Sequence, residues 1–455
     1  MVETINHFLG VAVGYVWGLP LVLLLVGTGI YLTIAMGFPQ VRGFMHAIRV
    51  VRGKYDNPND PGEISHFQAL TTALSATVGL GNIAGVAVAI SIGGPGAAFW
   101  MILTGVLGMA TKFSECSIAL MYRHVDEKNV VHGGGMHYIE RGLGKAWKPM
   151  AIFFAFACMA ASFGAANMFQ TNQVASIFKD RFSVDPLVTG VVISLLTGAV
   201  IIGGIKRIGK VTAVLVPVMG GIYLAGGFLV VIINIHKVPE VISSILYYAF
   251  NDLEKGAFGA LQGIALREII VQGVRRACFS NEAGLGSSPI AHSAAATKEP
   301  VREGTVALLE PFVDTVVICT MTAFVILLSG AWVQPGLTGV ELTAVAFDSA
   351  IPGFGGIFVP IAVFLFAYST LLSWSYYGEM AVDYLFGPKG LLPYKLAFCV
   401  AAVIGAVWSI DPILNFSDIM LGMMAIPNLI AVLLLSPKLR IEVKSYFARL
   451  KRHEF

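Results

Sequence analysis

The chain alternates long apolar runs with short polar stretches. Eleven such runs lie at about 9–36, 66–92, 96–122, 148–176, 186–204, 211–235, 257–296, 304–332, 355–385, 393–410 and 413–436. Most reach the ~20 residues that an α-helix needs to cross a bilayer core. The pattern predicts an all-α integral membrane protein of eleven spans, with residues 1–436 as one transmembrane domain. The gaps at 37–65, 236–256 and 333–354 are loop-sized, so no soluble domain is expected between spans. Residues 437–455 make a basic tail, expected along the inner membrane surface.

Composition sharpens this picture. Of 455 residues, 56% are hydrophobic and only 13% charged, about half the ~25% charge of soluble domains. A water-soluble enzyme and a disordered chain are both excluded as default readings. The 50 Gly and 29 Phe suit helices that pack closely in lipid. A net charge of +3 is too small and too dispersed to suggest a nucleic-acid partner. The five cysteines contain no C-x-x-C pair and read as small apolar packing residues.

Lys and Arg set the orientation. With the N-terminus outside, 22 of the 30 fall in the loops after spans 1, 3, 5, 7 and 9 and in the tail. Every one of those segments contributes, so the positive-inside rule predicts N-out, C-in across the cell membrane.

Two runs break the helical pattern. One reads Ser75-Ala76-Thr77-Val78-Gly79-Leu80-Gly81-Asn82, the other Phe279-Ser280-Asn281-Glu282-Ala283-Gly284-Leu285-Gly286-Ser287-Ser288-Pro289. Each holds a G-L-G core flanked by hydroxyl or amide side chains. Glycine costs a helix ~1 kcal/mol per residue, and Ser and Asn offer the backbone other partners. Unwound backbone at membrane depth is tolerated only where protein buries it or it lines a polar cavity. Residues 1–65 hold the first span and an inner loop. The remaining spans form two sets of five, 66–236 and 257–436. Five is odd, so the sets have opposite topology, and each opens with a broken helix. That is the pattern of an inverted-repeat secondary transporter whose site lies where the breaks meet.

At Gly93-Gly94-Pro95-Gly96-Ala97-Ala98-Phe99-Trp100-Met101 the chain resembles the alanine or glycine:cation (sodium) symporter family. Ala110-Thr111-Lys112-Phe113-Ser114-Glu115, Glu310-Pro311-Phe312-Val313-Asp314-Thr315, Tyr377-Gly378-Glu379 and Ile426-Pro427-Asn428-Leu429 carry the likeness further. It implies the leucine-transporter-type core of five plus five helices, here preceded by one extra helix. It also implies a sodium- or proton-coupled carrier of small neutral amino acids, alanine or glycine, with Na+ as the coupled ion.

Such a cargo needs donors for its carboxylate and acceptors for its ammonium. Half-helix N-termini supply the first, unwound carbonyls and half-helix C-termini the second. The candidates are Thr77, Val78, Gly79, Gly81 and Asn82 in the first break and Phe279, Ser280 and Asn281 in the second. Phe279 and Trp374 are candidate walls of a small pocket. Gln170, in a polar patch with Asn167, Thr171 and Asn172, is either a side-chain contact or a helix–helix hydrogen bond. Asn172 reads as the latter. For sodium, the resemblance implies the carbonyls of Ser75, Val78 and Phe366 with the hydroxyls of Ser369 and Thr370, and it makes Asn82 the counterpart of a second-sodium ligand.

Charges within spans are costly and functional by default. Glu310 and Asp314, at i and i+4, are expected to share a helix face, as gating or coupling groups or as partners of Arg275 or Arg276. Lys112 and Glu115 are expected to pair structurally. No G-x-S-x-G or H-E-x-x-H pattern appears within the spans, so no enzyme is predicted. A channel would need a continuous polar path instead of breaks midway along helices. The oligomeric state is open.

Overall fold

The computed structural model describes residues 2–57, 59–127, 130–254 and 264–455. Lys128, counted above as a loop cation, and the first residues of the run at 257–296 lie outside the described residues. The molecule is a bundle of helices, with one two-residue antiparallel ladder, His124–Val125 with Val131–His132.

The opening run forms two helices, α1 (Val2–Val16) and α2 (Leu19–Ala35). Gly18 is extended and Pro20 lies in the first turn of α2, where its missing N–H costs nothing. The first interrupted run gives α3 (His66–Thr77) and α4 (Ala84–Gly93). Ser65 and Gln68 form a capping box that starts α3. Next come α5 (Gly96–Tyr122), α6 (Lys148–Phe163), α7 (Phe169–Phe182), α8 (Pro186–Ile201) and α9 (Gly204–Ile233). A π-turn, Gly164–Met168, joins α6 to α7.

The second half opens with α10 (Leu266–Asn281), a break, and the short α11 (Pro289–Ser293). Then α12 (Pro300–Ala307), a π-helical stretch Phe312–Cys319 and α13 (Thr320–Ser329) make one long element. The last three are α14 (Gly355–Phe386), α15 (Leu391–Val407) and α16 (Ile410–Lys451). The basic tail is thus no separate element. It continues the final helix, and Arg449 grips Glu299 through two 2.7 Å bonds, while Tyr446 bonds His46 at 2.7 Å.

Among the described residues eight helices are long and apolar enough to cross a bilayer, and the bent pair α3–α4 makes a ninth. The other two expected spans fall short for different reasons. α8 is apolar but has 16 residues, about 24 Å at ~1.5 Å per residue. α10 carries Arg267, Glu268, Arg275 and Arg276 and stops at the second break. Lipid offers little hydrophobic drive between helices, so close backbone approach does the packing. α5 and α10 show it: a Cβ on Gly273 would stand 2.6 Å from the carbonyl oxygen of Ala97.

Candidate functional site

Both runs singled out by their glycines are interrupted, and they touch. In the first, α3 ends at Thr77, Gly79 is extended, Leu80–Asn82 make one tight turn, and the axis bends by 57°. In the second, α10 ends at Asn281, Glu282 is left-handed with φ 56°, and Gly284 and Gly286 have φ 91° and 74°. A Cβ on Gly81 would meet the Cα of Ser280 at 3.0 Å, so the two breaks lie side by side.

The breaks leave backbone groups over. Leu80 and Gly81 N–H have no acceptor among the described residues, and no backbone N–H returns to the carbonyls of Phe279, Ser280 and Asn281. These are the orphan donors and acceptors that every helix end exposes, here brought to the middle of a bundle.

A small cavity of ≈ 20 Å³ sits between the breaks. Of the expected residues, Thr77, Gly79, Gly81, Gln170, Phe279, Trp374 and Thr370 line it, together with Glu282, Ala165 and Leu421. Gln170 donates from Nε2 to its own helix at Ala165 O, 3.1 Å away. Its Oε1 is buried and has no partner. Asn172, by contrast, bonds Gly405 O and Trp408 O on the neighbouring chain segment, the helix–helix role expected of it.

Four expected contacts are not on the cavity wall. The Val78 carbonyl faces Ser369 instead, 3.4 Å from its hydroxyl. Asn82 is consumed: its Oδ1 accepts from Gly79 N–H at 2.8 Å and its Nδ2 donates to Asp314 Oδ1 at 2.6 Å. Ser280 donates to the same carboxylate at 3.1 Å. Asn281 ties Thr315 Oγ1 to Ala283 N–H, each at 2.9 Å. These side chains brace the breaks.

The sodium candidates do converge. Ser369 Oγ lies 3.3, 3.4 and 2.8 Å from the carbonyl oxygens of Ser75, Val78 and Phe366, and Thr370 Oγ1 lies 3.0 Å from Phe366 O. Ser75 adds its own hydroxyl, donated to Ser369 O at 2.6 Å. The five candidate oxygens, from α3, its capping residue Val78 and α14, thus cluster directly behind Gly79, whose Cβ, were there one, would overlap Thr370 Oγ1.

Glu310 and Asp314 bond separate partners. Asp314 joins Asn82, Ser280 and Thr315. Glu310 joins a buried ladder. His66 pairs with Glu303, Glu303 with His292 Nδ1 at 2.5 Å, His292 Nε2 with Glu310 at 2.6 Å, and Glu310 with Lys112 at 3.3 Å. All five side chains are at most 1% exposed. Lys112 therefore pairs with Glu310 and not with Glu115, which takes Asn428 instead. Arg275 pairs with Asp418 of α16 and with neither Glu310 nor Asp314. Cys116, His292 and Glu310 place possible metal-ligand atoms within 4.8 Å of one another, but both His292 nitrogens already serve the ladder.

A second cavity, ≈ 610 Å³, opens beyond Phe279, which lines both. Phe169 meets Phe279 edge-on, ring centres 6.1 Å apart, forming a two-ring partition between them.

Two broken helices crossing inside a membrane bundle, with unpaired backbone and a small cavity at the crossing, define a secondary transporter. The comparisons agree and go further. The model of the sodium:alanine symporter family matches residues 2–454. The chain belongs to that family and is a multi-pass membrane protein. The sodium/alanine symporter AgcS of Methanococcus maripaludis is 46% identical over 98% of this chain and 96% of its own length. Among solved structures, MhsT in complex with L-phenylalanine superposes with TM-score 0.55 at 14% identity, covering 82% of this chain and 98% of MhsT. A substrate-bound Na+-coupled sialic acid symporter superposes with TM-score 0.54 at 12% identity, covering 92% and 98%. Both share the leucine-transporter-type fold.

Proposed function

We propose that the protein is a sodium-coupled symporter taking up alanine and glycine by alternating access, in a topology of eleven spans with the N-terminus outside and the C-terminus in the cytoplasm. Residues 66–236 and 257–436 form the two inverted repeats. The observation that carries this reading is the position of Gly79. One side of it faces the cavity and the other faces five clustered oxygens from α3, its capping residue Val78 and α14. An ion held by those oxygens orders the same backbone that the cargo meets, so binding of one favours binding of the other. Neutral oxygens suit a monovalent ion that must later leave.

The small cavity, ≈ 20 Å³, has room for about one water, so cargo enters by displacing Phe279, Trp374 and Leu421, and a small side chain such as that of alanine or glycine asks least of them. Phe169 and Phe279 close it on the outer side, and the ladder from His66 to Lys112 holds the inner side shut. Rocking between the two states follows only from different affinities for each. A membrane potential of about 100 mV adds ~2.3 kcal/mol per inward charge.

The test is uptake of labelled alanine into liposomes holding the purified protein. Uptake is expected only under an inward sodium gradient, and equal uptake in potassium or choline would reject sodium coupling.

A second reading is proton coupling through Glu310 and Asp314. It draws support from Asp314, which is fully buried and bonded only to neutral donors. Glu310, paired with Lys112 and His292, supports it less. Dissipating the proton and sodium gradients separately decides between the readings.

A further inference from the structure

Glu282 is the only ionisable side chain on the wall of the small cavity. It is 3% exposed and sits at the first residue past α10, in the left-handed conformation that turns the chain into the break. Trp374 Nε1 donates to its Oε1 at 2.8 Å, and Ser287 Oγ donates to its Oε2. Both donors are neutral, and no Lys, Arg or His pairs with it among the described residues. Its buried neighbours differ. Glu303 and Glu310 meet His292, and Asp418 meets Arg275. Glu115 and Asp314 also make no ion pair among the described residues, but neither lines the small cavity.

A carboxylate without a directly paired cation at membrane depth is expensive, ~2.5–3.5 kcal/mol on the insertion scale, and is functional by default. Gln170 adds a second acceptor. Its Nε2 is fixed on Ala165 O, so its Oε1 is the atom left without a partner, 3.7 Å from where a Cβ on Gly79 would be. The wall therefore offers two oriented acceptors, one of them charged, and no side-chain cation. The same wall carries the unpaired N–H groups of Leu80 and Gly81 as donors. Acceptors, one of them charged, together with donors on one wall describe a small zwitterion.

We propose that Glu282 takes the α-ammonium group of the cargo, with Gln170 as the second acceptor, so that a primary amine is required for binding. This deepens the amino-acid symport reading and rests on it.

The experiment is calorimetric binding, in sodium, of L-alanine and of L-lactate, which carries a hydroxyl in place of the ammonium. The wild type is expected to prefer alanine strongly. Glu282→Gln is expected to weaken alanine by roughly 10- to 100-fold, the value of a hydrogen bond to a charged group, and to leave lactate unweakened. Ser287→Ala keeps the carboxylate and removes one neutral donor, so its alanine-to-lactate ratio is expected to hold within about threefold of the wild type or to rise. Unchanged alanine affinity in Glu282→Gln overturns the assignment. So does a Ser287→Ala ratio that collapses, or a Glu282→Gln protein that loses only the pH dependence of uptake, which would assign the carboxylate to a proton. A wild type that binds no alanine refutes this assignment and the symport reading together. Wild-type affinity kept undiminished in Glu282→Gln refutes this assignment alone.

Discussion

The hydroxyl of Thr370 occupies the space a side chain on residue 79 would need: a Cβ built on Gly79 overlaps Thr370 Oγ1 and lies 3.7 Å from Gln170 Oε1. One backbone position thus separates the proposed ion cluster from the proposed cargo pole. Gly79→Ala is expected to displace Thr370 or straighten the break, at the ~1–3 kcal/mol of overpacking. The half-saturating sodium concentration for alanine uptake should rise by roughly 10-fold or more, while thermal unfolding shows that the protein still folds.

Thr370→Ala removes one oxygen of the cluster without adding bulk. It should raise the sodium requirement much more than it alters the choice among amino acids, measured as uptake competition at several sodium concentrations. Equal changes in both would detach Thr370 from the ion.

Gln170→Ala removes the unpartnered Oε1 from the wall. Alanine affinity is expected to fall by roughly 10-fold, the scale of a single hydrogen bond to a charged group. Titration calorimetry reads it directly, and an unaltered affinity removes Gln170 from the site.

Lys112 and Glu310 are both fully buried. Glu310→Gln strands the ammonium of Lys112, and breaking a buried pair from one side costs about 3–5 kcal/mol. A marked drop in melting temperature is expected. The double variant Lys112→Met/Glu310→Gln should recover part of it, and a double variant as unstable as the single one would contradict the pairing.

His46 lies on the short helix Phe44–Val51, beside the end of α16. Burial, with Arg302 and Arg49 nearby, and more weakly His66 and Lys54, lowers its pKa to about 4. The unfolded group binds a proton from about pH 6.5 downward, so between those values the unfolded state holds more protons. Stability from this site is therefore complete above about pH 6.5 and is lost as pH falls toward 4. Limited proteolysis of the C-terminal helix should accelerate over that range, and His46→Gln should flatten the response.

The membrane class and the two breaks were legible because both depend on local composition. Apolar runs measure a bilayer, and paired glycines beside Ser and Asn weaken a helix wherever they stand. The Ser369–Thr370 hydroxyls were reachable through family likeness, since adjacent hydroxyls alone equally suit back-bonding to their own helix. The ladder was not legible: His66 and Glu303 are 237 residues apart, and no local spacing joins them. The π-helical stretch at Phe312–Cys319 also leaves no compositional mark. Glu282 was visible as a charge within a break, but its solitude on the cavity wall depends on which way Trp374 and Ser287 point.

The ladder also constrains how the chain is made. Lys112 emerges from the ribosome 198 residues before Glu310, about 10 to 40 s at ~5–20 residues per second. For that interval a lysine destined for the bilayer interior lacks the carboxylate it finally pairs with. Insertion of α5 is therefore provisional until the second half arrives, and a nascent chain halted before residue 310 would present an unfinished span to membrane quality control.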